Sequence, residues 1–265
     1  IYTGEDTLSL HDALPISRTQ TVPSNQRHIV AIGGSLSKVP SACGQERVLE
    51  YLFDLQPSRK TQRILVINTA TGDAKSSEDF FYNSWNMLKK PCSLSFLNLF
   101  ARTPPDLKTL LLSQDIIFVG GGNTKSMLAV WREYGIDKLL HQAWKLGIVL
   151  AGSSAGGICW FDSCLTDSYA ESYTSLKCLG ILKGSCCPHF DGEVGRRETY
   201  HAMVESQELA NGYAIDEATA IHFVGKKIHQ VISVSTNEHA AAYLVSKQYE
   251  GVKEIILPAQ RLHPL

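Results

Sequence analysis

The sequence predicts an α/β protein: a single three-layer domain with a mostly parallel sheet and helices on both faces. Short, continuously apolar segments alternate with longer helical segments from residue 28 to about residue 151. This alternation is typical of strands that are buried on both faces of a parallel sheet. The length of 265 residues, 44% of them hydrophobic, suits one large domain, and no Pro-, Ser- or charge-rich linker divides it. We therefore expect one domain over residues 28–257.

The individual elements follow from apolar runs and their flanking turns. The predicted strands of the parallel part are 28–32, 63–68, 93–99, 115–119 and 147–151. The predicted helices are 45–55, 77–89, 124–134 and 137–146. Beyond residue 180 the segments 218–224, 227–233 and 241–246 are short and β-like, and we expect them to form an antiparallel edge of the same sheet. Sites in such sheets lie beyond the carboxyl ends of the strands.

The first residues need a separate interpretation. Residues 7–16 translate back into a string that resembles a common sequencing-library adapter. We therefore interpret residues 1–17 as an assembly artefact and leave them out of the fold prediction. The alternative is a genuine amphipathic leader.

Composition excludes several classes of function. The net charge of −1 provides no field that would attract nucleic acid or an anionic membrane surface. No run approaches the roughly 18–20 apolar residues that span a bilayer. The seven cysteines are irregularly spaced, as in buried thiols of a reducing cytoplasm. We therefore expect a cytoplasmic protein. The histidines and cysteines also lack the spacing of metal ligands, and we expect no metal and no cofactor.

One turn carries the strongest chemical signal. An apolar strand runs directly into Gly152-Ser-Ser-Ala-Gly156, a G-x-S-x-G pattern. In hydrolases this pattern holds a serine on a strained strand-to-helix turn, which lifts the hydroxyl above the sheet edge. Ser154 is the predicted nucleophile, and Ser153 is the local alternative. Small residues at such a junction could instead serve packing or hold a phosphate.

A second loop supplies candidate hydrogen-bond donors. The glycines that follow strand 115–119 should lie at the same sheet edge as the serine turn. Without side chains, Gly121 or Gly122 can present a backbone N–H to the substrate, and with the N–H of Ala155 would complete an oxyanion hole. A phosphate loop is the alternative, but no Lys-Ser/Thr pair follows at Walker spacing.

A serine nucleophile needs a base and an orienting acid. His189 follows a short apolar segment and a proline, which makes it the best candidate among nine histidines. His201 and His239 remain alternatives. Asp216 and Glu217 follow an apolar segment, and either carboxylate could reach the base.

Taken together, these motifs resemble the dipeptidase E and cyanophycinase family of serine peptidases. The matching pieces, in the family's order, are Ala31-Ile-Gly-Gly-Ser35, Val119-Gly-Gly-Gly-Asn-Thr124, Gly152-Ser-Ser-Ala-Gly156, Pro188-His-Phe-Asp191 and Gly212-Tyr-Ala-Ile-Asp-Glu217. The resemblance implies a class I glutamine amidotransferase-like fold. It also implies that Ser154 is the nucleophile, His189 the base and Glu217 the orienting acid, with Asp216 as the adjacent alternative.

The resemblance also suggests a substrate. It implies a small peptide, and dipeptides with an N-terminal aspartate in particular. Asn123 and Asp167 would then lie on the substrate side. Arg196 and Arg197 follow the histidine closely and suit a carboxylate partner, unless they form the solvated start of a helix. The alternatives are a cyanophycinase-like exopeptidase acting on an Asp–Arg polymer and an amidotransferase-like ligand-binding protein without peptidase activity. A homodimer is also compatible with the sequence.

Overall fold

Two β-sheets and seven α-helices organise the part of the chain that the structure describes. The structure, a computed structural model, describes residues 20–34, 45–56, 60–170 and 172–262. The segment interpreted as an adapter artefact, residues 1–17, lies outside the described residues, and so does Ser35 of the first motif.

The elements alternate in the first half of the chain as the sequence predicts. The strands are β1 (His28–Ile32), β2 (Gln62–Ile67), β3 (Cys92–Leu97), β4 (Ile116–Val119), β5 (Val149–Ser153), β6 (Ser163–Tyr169), β7 (Ser172–Lys177), β8 (Ser185–Cys187), β9 (Gly212–Ile215), β10 (Thr219–Val224), β11 (Lys227–Ser233), β12 (Ala242–Gln248), β13 (Gly251–Leu257) and β14 (Gln260–Arg261). The helices are α1 (Gln45–Asp54), α2 (Lys75–Met87), α3 (Leu107–Leu112), α4 (Thr124–Tyr134), α5 (Ile136–Lys145), α6 (Ala155–Ile158) and α7 (Arg196–Glu205).

The larger sheet has eight strands in the order β14-β11-β10-β1-β5-β4-β2-β3. Strands β1 to β5 run parallel to one another, and β10 and β11 extend the sheet beyond β1 in antiparallel pairing. The strands β1, β2, β4 and β5 read as almost unbroken apolar runs because both of their faces are covered. The predicted parallel sheet and its antiparallel extension by 218–224 and 227–233 are confirmed.

Helices cover both faces of this sheet and create two cores. One core gathers Trp131 and Leu140 from α4 and α5 with Phe161 on one face of the sheet. The other gathers Leu52 of α1 and Trp85 of α2 on the opposite face. The predicted three-layer arrangement is therefore confirmed.

The smaller sheet was not predicted. Its six strands follow the order β13-β12-β9-β8-β6-β7. The expectation that segment 241–246 lies at the edge of the main sheet is wrong, because β12 pairs with β9 and β13 instead. Alternating hydrophobicity marks a strand but does not identify its neighbour, and β9 and β10, which lie close in the chain, belong to different sheets.

Segments outside residues 28–257 also pack onto the domain. The β14 strand extends the main sheet beside β11. Before β1, the Val22 N–H donates a hydrogen bond to the Lys145 carbonyl at 2.9 Å. Among the described residues, no helix is long and apolar enough to cross a bilayer.

Candidate active site

The connection between β5 and α6 is a strained turn. Ser154 has φ 52° and ψ −115°, a conformation that side chains rarely adopt. The turn is held by hydrogen bonds from the Ser154 N–H to the Ile32 carbonyl, 3.0 Å, and from the Gly157 N–H to the Ser154 carbonyl, 2.8 Å. Gly156 allows the close approach of strand and helix, since a Cβ there would lie 2.1 Å from the Val119 carbonyl oxygen. The strain therefore serves to present the Ser154 hydroxyl.

A histidine from the loop after β8 meets that hydroxyl. His189 Nε2 lies 2.8 Å from Ser154 Oγ, and the histidine side chain is 9% exposed. The loop is held against the end of β1 because the His189 N–H donates to the Gly33 carbonyl at 2.9 Å. His189 itself has a positive φ of 53°, so the backbone is turned to aim the ring at the serine.

Glu217 contacts the opposite side of the imidazole. Its Oε1 atom lies 2.6 Å from His189 Nδ1. The turn that carries it is held by Asp191, whose Oδ1 accepts a hydrogen bond from the Glu217 N–H at 2.8 Å. Ser154, His189 and Glu217 thus form one continuous hydrogen-bonded chain.

Asp216 faces away from this chain. Its Oδ2 accepts hydrogen bonds from the Ala241 N–H at 2.9 Å and from the Tyr243 hydroxyl at 3.2 Å. Burial raises the pKa of Asp216 to about 6. Asp216 therefore anchors the turn to the start of β12, and of the two adjacent carboxylates Glu217 contacts the histidine.

The other candidates for the base lie elsewhere. His201 Nε2 lies 2.6 Å from a carboxylate oxygen of Glu254. His239 is exposed in a turn, where its N–H binds the side chain of Asn237 at 3.0 Å. The structure brings neither ring to the Ser154 hydroxyl.

The glycine loop lies beside Ser154. A Cβ on Gly121 would come within 3.3 Å of Ser154 Cβ. Gly122 has φ +132° and passes so close to Ala70 that a Cβ would lie 2.4 Å from its carbonyl oxygen, so only glycine fits. Ala155 is the first residue of α6, where the N–H has no partner within the helix. The residues predicted to form the oxyanion hole therefore lie close to Ser154.

On one side of Ser154 lies a cavity of about 360 Å³, called here the polar cavity. It is lined by Gly122, Asn123, Thr124, Ser154, Ile158, Leu165, Thr166, Asp167, Ser168, Pro188, His189 and Arg196. Asn123 contributes from the helix start, where its Oδ1 caps α4 by accepting from the Ser126 N–H at 2.8 Å. Three of the four predicted substrate residues, Asn123, Asp167 and Arg196, thus line this cavity.

Arg196 is held by two carboxylates. Its guanidinium, 2% exposed, lies 3.2 Å from Asp167 Oδ2 and also binds Glu193, with Nε donating to Oε2 at 2.8 Å. It also lies 4.7 Å from the ring centre of Tyr173. The Asp167 side chain is 63% exposed, so this carboxylate can change partners, whereas the Glu193 side chain is 29% exposed and holds the arginine in place.

Arg197, the fourth predicted substrate residue, does not line the polar cavity. Its Nε donates to Glu254 Oε1 at 2.9 Å, and its guanidinium lies 4.7 Å from the Phe190 ring centre and 5.3 Å from that of Tyr243. Consecutive helix residues point about 100° apart, so only one of two adjacent arginines faces the cavity. The structure therefore gives Arg197 a packing role behind the histidine loop, in place of the expected substrate contact.

A second cavity, of about 390 Å³, opens on the other side of Ser154 and is called here the aromatic cavity. Its lining consists of Thr71, Ser76, Ser77, Phe80, Phe81, Gly121, Gly122, Ser153, Ser154 and His189. The sequence prediction missed the residues from α2. The loop after β2 follows the carboxyl end of a parallel strand, and that position was the available signal. Asp191 and Glu193 were also missed, since only their contacts reveal their roles.

A strained serine, a histidine in hydrogen-bond contact and glycine N–H donors are the parts of a hydrolase that acts through a serine nucleophile. The described residues contain no group of three or more His, Cys, Asp or Glu side chains arranged to hold a metal ion. The fold and the site therefore define a serine hydrolase of the α/β class.

Comparison with known proteins identifies the family. The model of peptidase family S51 matches residues 29–231. The uncharacterized peptidase YgaJ of Bacillus subtilis (strain 168) is 40% identical over 237 residues, which cover 89% of this chain and 99% of YgaJ. Peptidase E of Pasteurella multocida (strain Pm70) is 28% identical over 151 residues, 51% of this chain and 64% of that protein. The chain belongs to peptidase family S51, and it is a serine peptidase of the peptidase E type.

The fold agrees with this assignment. The crystal structure of a peptidase from an acI-B1 Actinobacterium superposes with a TM-score of 0.63 at 17% sequence identity. The match covers 90% of this chain and 97% of the other. The predicted family and the class I glutamine amidotransferase-like fold are confirmed.

Proposed function

We propose that this peptidase hydrolyses short peptides through Ser154 as nucleophile, His189 as general base and acid, and Glu217 as the carboxylate that orients the imidazole. One observation carries the proposal: the hydrogen-bonded chain with 2.8 Å between Ser154 and His189 and 2.6 Å between His189 and Glu217. These distances are within the reach that proton transfer requires.

The reaction follows from the positions of these groups. Ser154 Oγ attacks the peptide carbonyl carbon while its proton passes to His189 Nε2. The N–H groups of Ala155 and of Gly121 or Gly122 stabilise the resulting oxyanion. His189 then gives the proton to the leaving amine, and the C–N bond breaks to leave an ester on Ser154. Water, deprotonated by His189, hydrolyses the ester and restores the serine.

The polar cavity supports a preference for an N-terminal aspartate. Such a residue carries a carboxylate and an ammonium group close together, and the Arg196–Asp167 pair offers one partner for each. The substrate carboxylate would replace Asp167 on the guanidinium, while the ammonium group would bind the released Asp167. Glu193 stays on Arg196 throughout, so the inserted residue exchanges one ion pair for two. We therefore propose Asp-Xaa dipeptides as the substrate class.

The test compares Asp-Leu with Asn-Leu and Leu-Leu as substrates of the wild-type chain and of Ser154→Ala. Ser206→Ala, an exposed helix-end serine, is the matched control. We expect the wild type to have at least tenfold higher kcat/KM for Asp-Leu than for Asn-Leu or Leu-Leu. Ser206→Ala should be fully active, and Ser154→Ala should retain only a residual rate. Equal turnover of the three dipeptides would contradict the aspartate preference. Normal activity of Ser154→Ala would contradict the mechanism.

A further substrate separates the cyanophycinase-like alternative. β-Aspartyl-arginine, in which the peptide bond starts from the aspartate side chain, is assayed beside Asp-Leu. Faster cleavage of the β-linked dipeptide would favour that alternative over the Asp-Xaa proposal.

A location in the cytoplasm is also part of our proposal. It is supported by seven cysteines without disulfide-like spacing, and cell fractionation tests it.

A further inference from the structure

The two cavities that meet at Ser154 and His189 differ in charge. The polar cavity contains Asp167 and Arg196, whereas the described lining of the aromatic cavity contains neither a carboxylate nor a lysine or arginine. We propose that the aromatic cavity is the subsite for the side chain of the leaving residue and selects large apolar side chains there. This inference rests on the proposed function and extends it to the second residue of the substrate.

Two rings on helix α2 form the apolar wall. Phe80 and Phe81 meet edge to face, with ring centres 5.1 Å apart at 77°. Phe81 is 6% exposed and packs on Phe118 of the central strand β4, with ring centres 5.0 Å apart. Phe80 is only half buried. The buried ring thus supports the half-buried one, which gives the cavity a pre-formed apolar surface.

The order of the two residues along the substrate follows from charge. The N-terminal residue carries an ammonium group and therefore belongs beside Asp167 in the polar cavity. Gly122, Ser154 and His189 line both cavities, so the peptide bond crosses between them at the nucleophile. The leaving residue then continues into the aromatic cavity. His189, which lines it as well, is placed to protonate the departing amine.

The aromatic cavity should distinguish leaving residues by size and charge. A volume of about 390 Å³ accommodates a phenyl or isobutyl group. Each methylene group removed from an apolar pocket costs about 10-fold or more in specificity. A lysine side chain would enter without a counter-charge. We therefore expect kcat/KM to fall in the order Asp-Phe, Asp-Leu, Asp-Gly, with Asp-Lys no better than Asp-Gly.

The variant Phe80→Ala removes the half-buried wall, and Tyr82→Ala is its control because Tyr82, on the same helix, is 55% exposed. We expect Phe80→Ala to lower kcat/KM at least tenfold for Asp-Phe and less than threefold for Asp-Gly. Phe80→Leu should restore most of the Asp-Phe activity. Tyr82→Ala should behave as wild type. An equal loss of kcat/KM for Asp-Phe and Asp-Gly in Phe80→Ala would overturn the inference.

A binding measurement separates this inference from the proposed function. Calorimetry with Ser154→Ala measures the affinities of uncleaved Asp-Phe and Asp-Gly, and the double variant Ser154→Ala/Phe80→Ala is measured in parallel. We expect Ser154→Ala to bind Asp-Phe at least tenfold more tightly than Asp-Gly. In the double variant the two affinities should be similar. Equal affinities would overturn the subsite. Tight binding of Asp-Phe without hydrolysis by the wild type would refute only the proposed function.

Discussion

The carboxylate of Glu217 lies directly over the backbone of Gly34, so close that a Cβ on Gly34 would fall 1.7 Å from Glu217 Oε2. Gly34 follows β1 and Glu217 precedes β10, and these two strands pair in antiparallel register from His28 opposite Val224 to Ile32 opposite Ala220. The strand pair therefore delivers the carboxylate to the histidine, and the glycine leaves room for it.

Gly34→Ala should therefore impair catalysis more than folding. The added methyl group displaces the Glu217 carboxylate, so His189 loses its orienting partner, and we expect kcat to fall about 10- to 1,000-fold. Steady-state kinetics and thermal unfolding measure the two effects. Gly135→Ala is the matched control, since its φ of +68° makes alanine strained while nothing lies within 4 Å of the new Cβ. It should lower stability by about 1 kcal/mol and leave kcat intact.

Glu217→Gln tests the orienting carboxylate itself. An amide can stay within hydrogen-bond distance of His189 Nδ1, but it neither holds the same tautomer nor stabilises the imidazolium that forms. We expect kcat to fall about 10³- to 10⁴-fold with a small change in KM. Glu198→Gln makes the same chemical change on an exposed position of α7 and should be silent. A loss of less than threefold in Glu217→Gln would argue against the proposed role.

Asp167→Asn removes the carboxylate proposed to bind the ammonium group of the substrate. Because one charged hydrogen bond contributes about 1.5–3 kcal/mol, we expect KM for Asp-Leu to rise roughly 10- to 100-fold. The effect on kcat should be smaller. Asp79→Asn, at an exposed position of α2, is the control. If KM stays constant and kcat falls instead, Asp167 takes part in the chemical step rather than in binding.

A buried histidine cluster should make the protein sensitive to acid. His222 is 1% exposed, with Tyr51 Oη 2.5 Å from its Nδ1 and His28 Nδ1 3.0 Å from its Nε2. The pKa of His222 is lowered to about 3, mainly by burial and to a smaller extent by the nearby His28 and His229. Below about pH 6.5 His222 therefore binds a proton in the unfolded chain but not in the folded chain. The free energy of unfolding consequently falls as the pH falls towards 3.

His222→Gln measures this contribution. At pH 5 the cost of keeping His222 neutral is about 2 kcal/mol. Asp216 acts in the opposite direction, because its raised pKa of about 6 adds stability as the pH falls from 6 towards 3.8. Urea unfolding at pH 7.5 and pH 5.0 is therefore compared between wild type and variant. We expect the variant to lose about 1–2 kcal/mol less than the wild type between these pH values, and equal losses would refute the prediction.

Sequence patterns predict best the elements that are defined by residues close together in the chain. The parallel strands and the helices α4 and α5 were predicted within about two residues, because continuous apolar runs and helical periodicity report burial directly. The Ser154 turn was recognisable for a similar reason. The strained turn at Ser154 requires small residues on both sides, and the sequence shows them as Gly152 and Gly156.

Features that depend on neighbours far along the chain were not predictable in this way. Local pattern does not distinguish Asp216 from Glu217, and only the resemblance favoured Glu217. The antiparallel pairing of β1 with β10 points Glu217 at His189 and Asp216 at Tyr243. Arg197 was expected to contact the substrate, but its adjacency to Arg196 does not indicate which side of α7 faces the polar cavity. The aromatic cavity forms where α2 packs across the sheet beside the glycine loop, and no motif marks Phe80.

The sequence by itself determined the α/β class, the turn that presents Ser154, the glycine loop and the short set of histidines and carboxylates from which the site is built. Those properties depend on residue types that are adjacent or regularly spaced. Only the tertiary structure decided that Glu217 contacts His189, that β12 joins a second sheet, and that a charged and an uncharged cavity meet at the nucleophile. Each of these depends on contacts across the sheets, where distance in space is unrelated to distance along the chain.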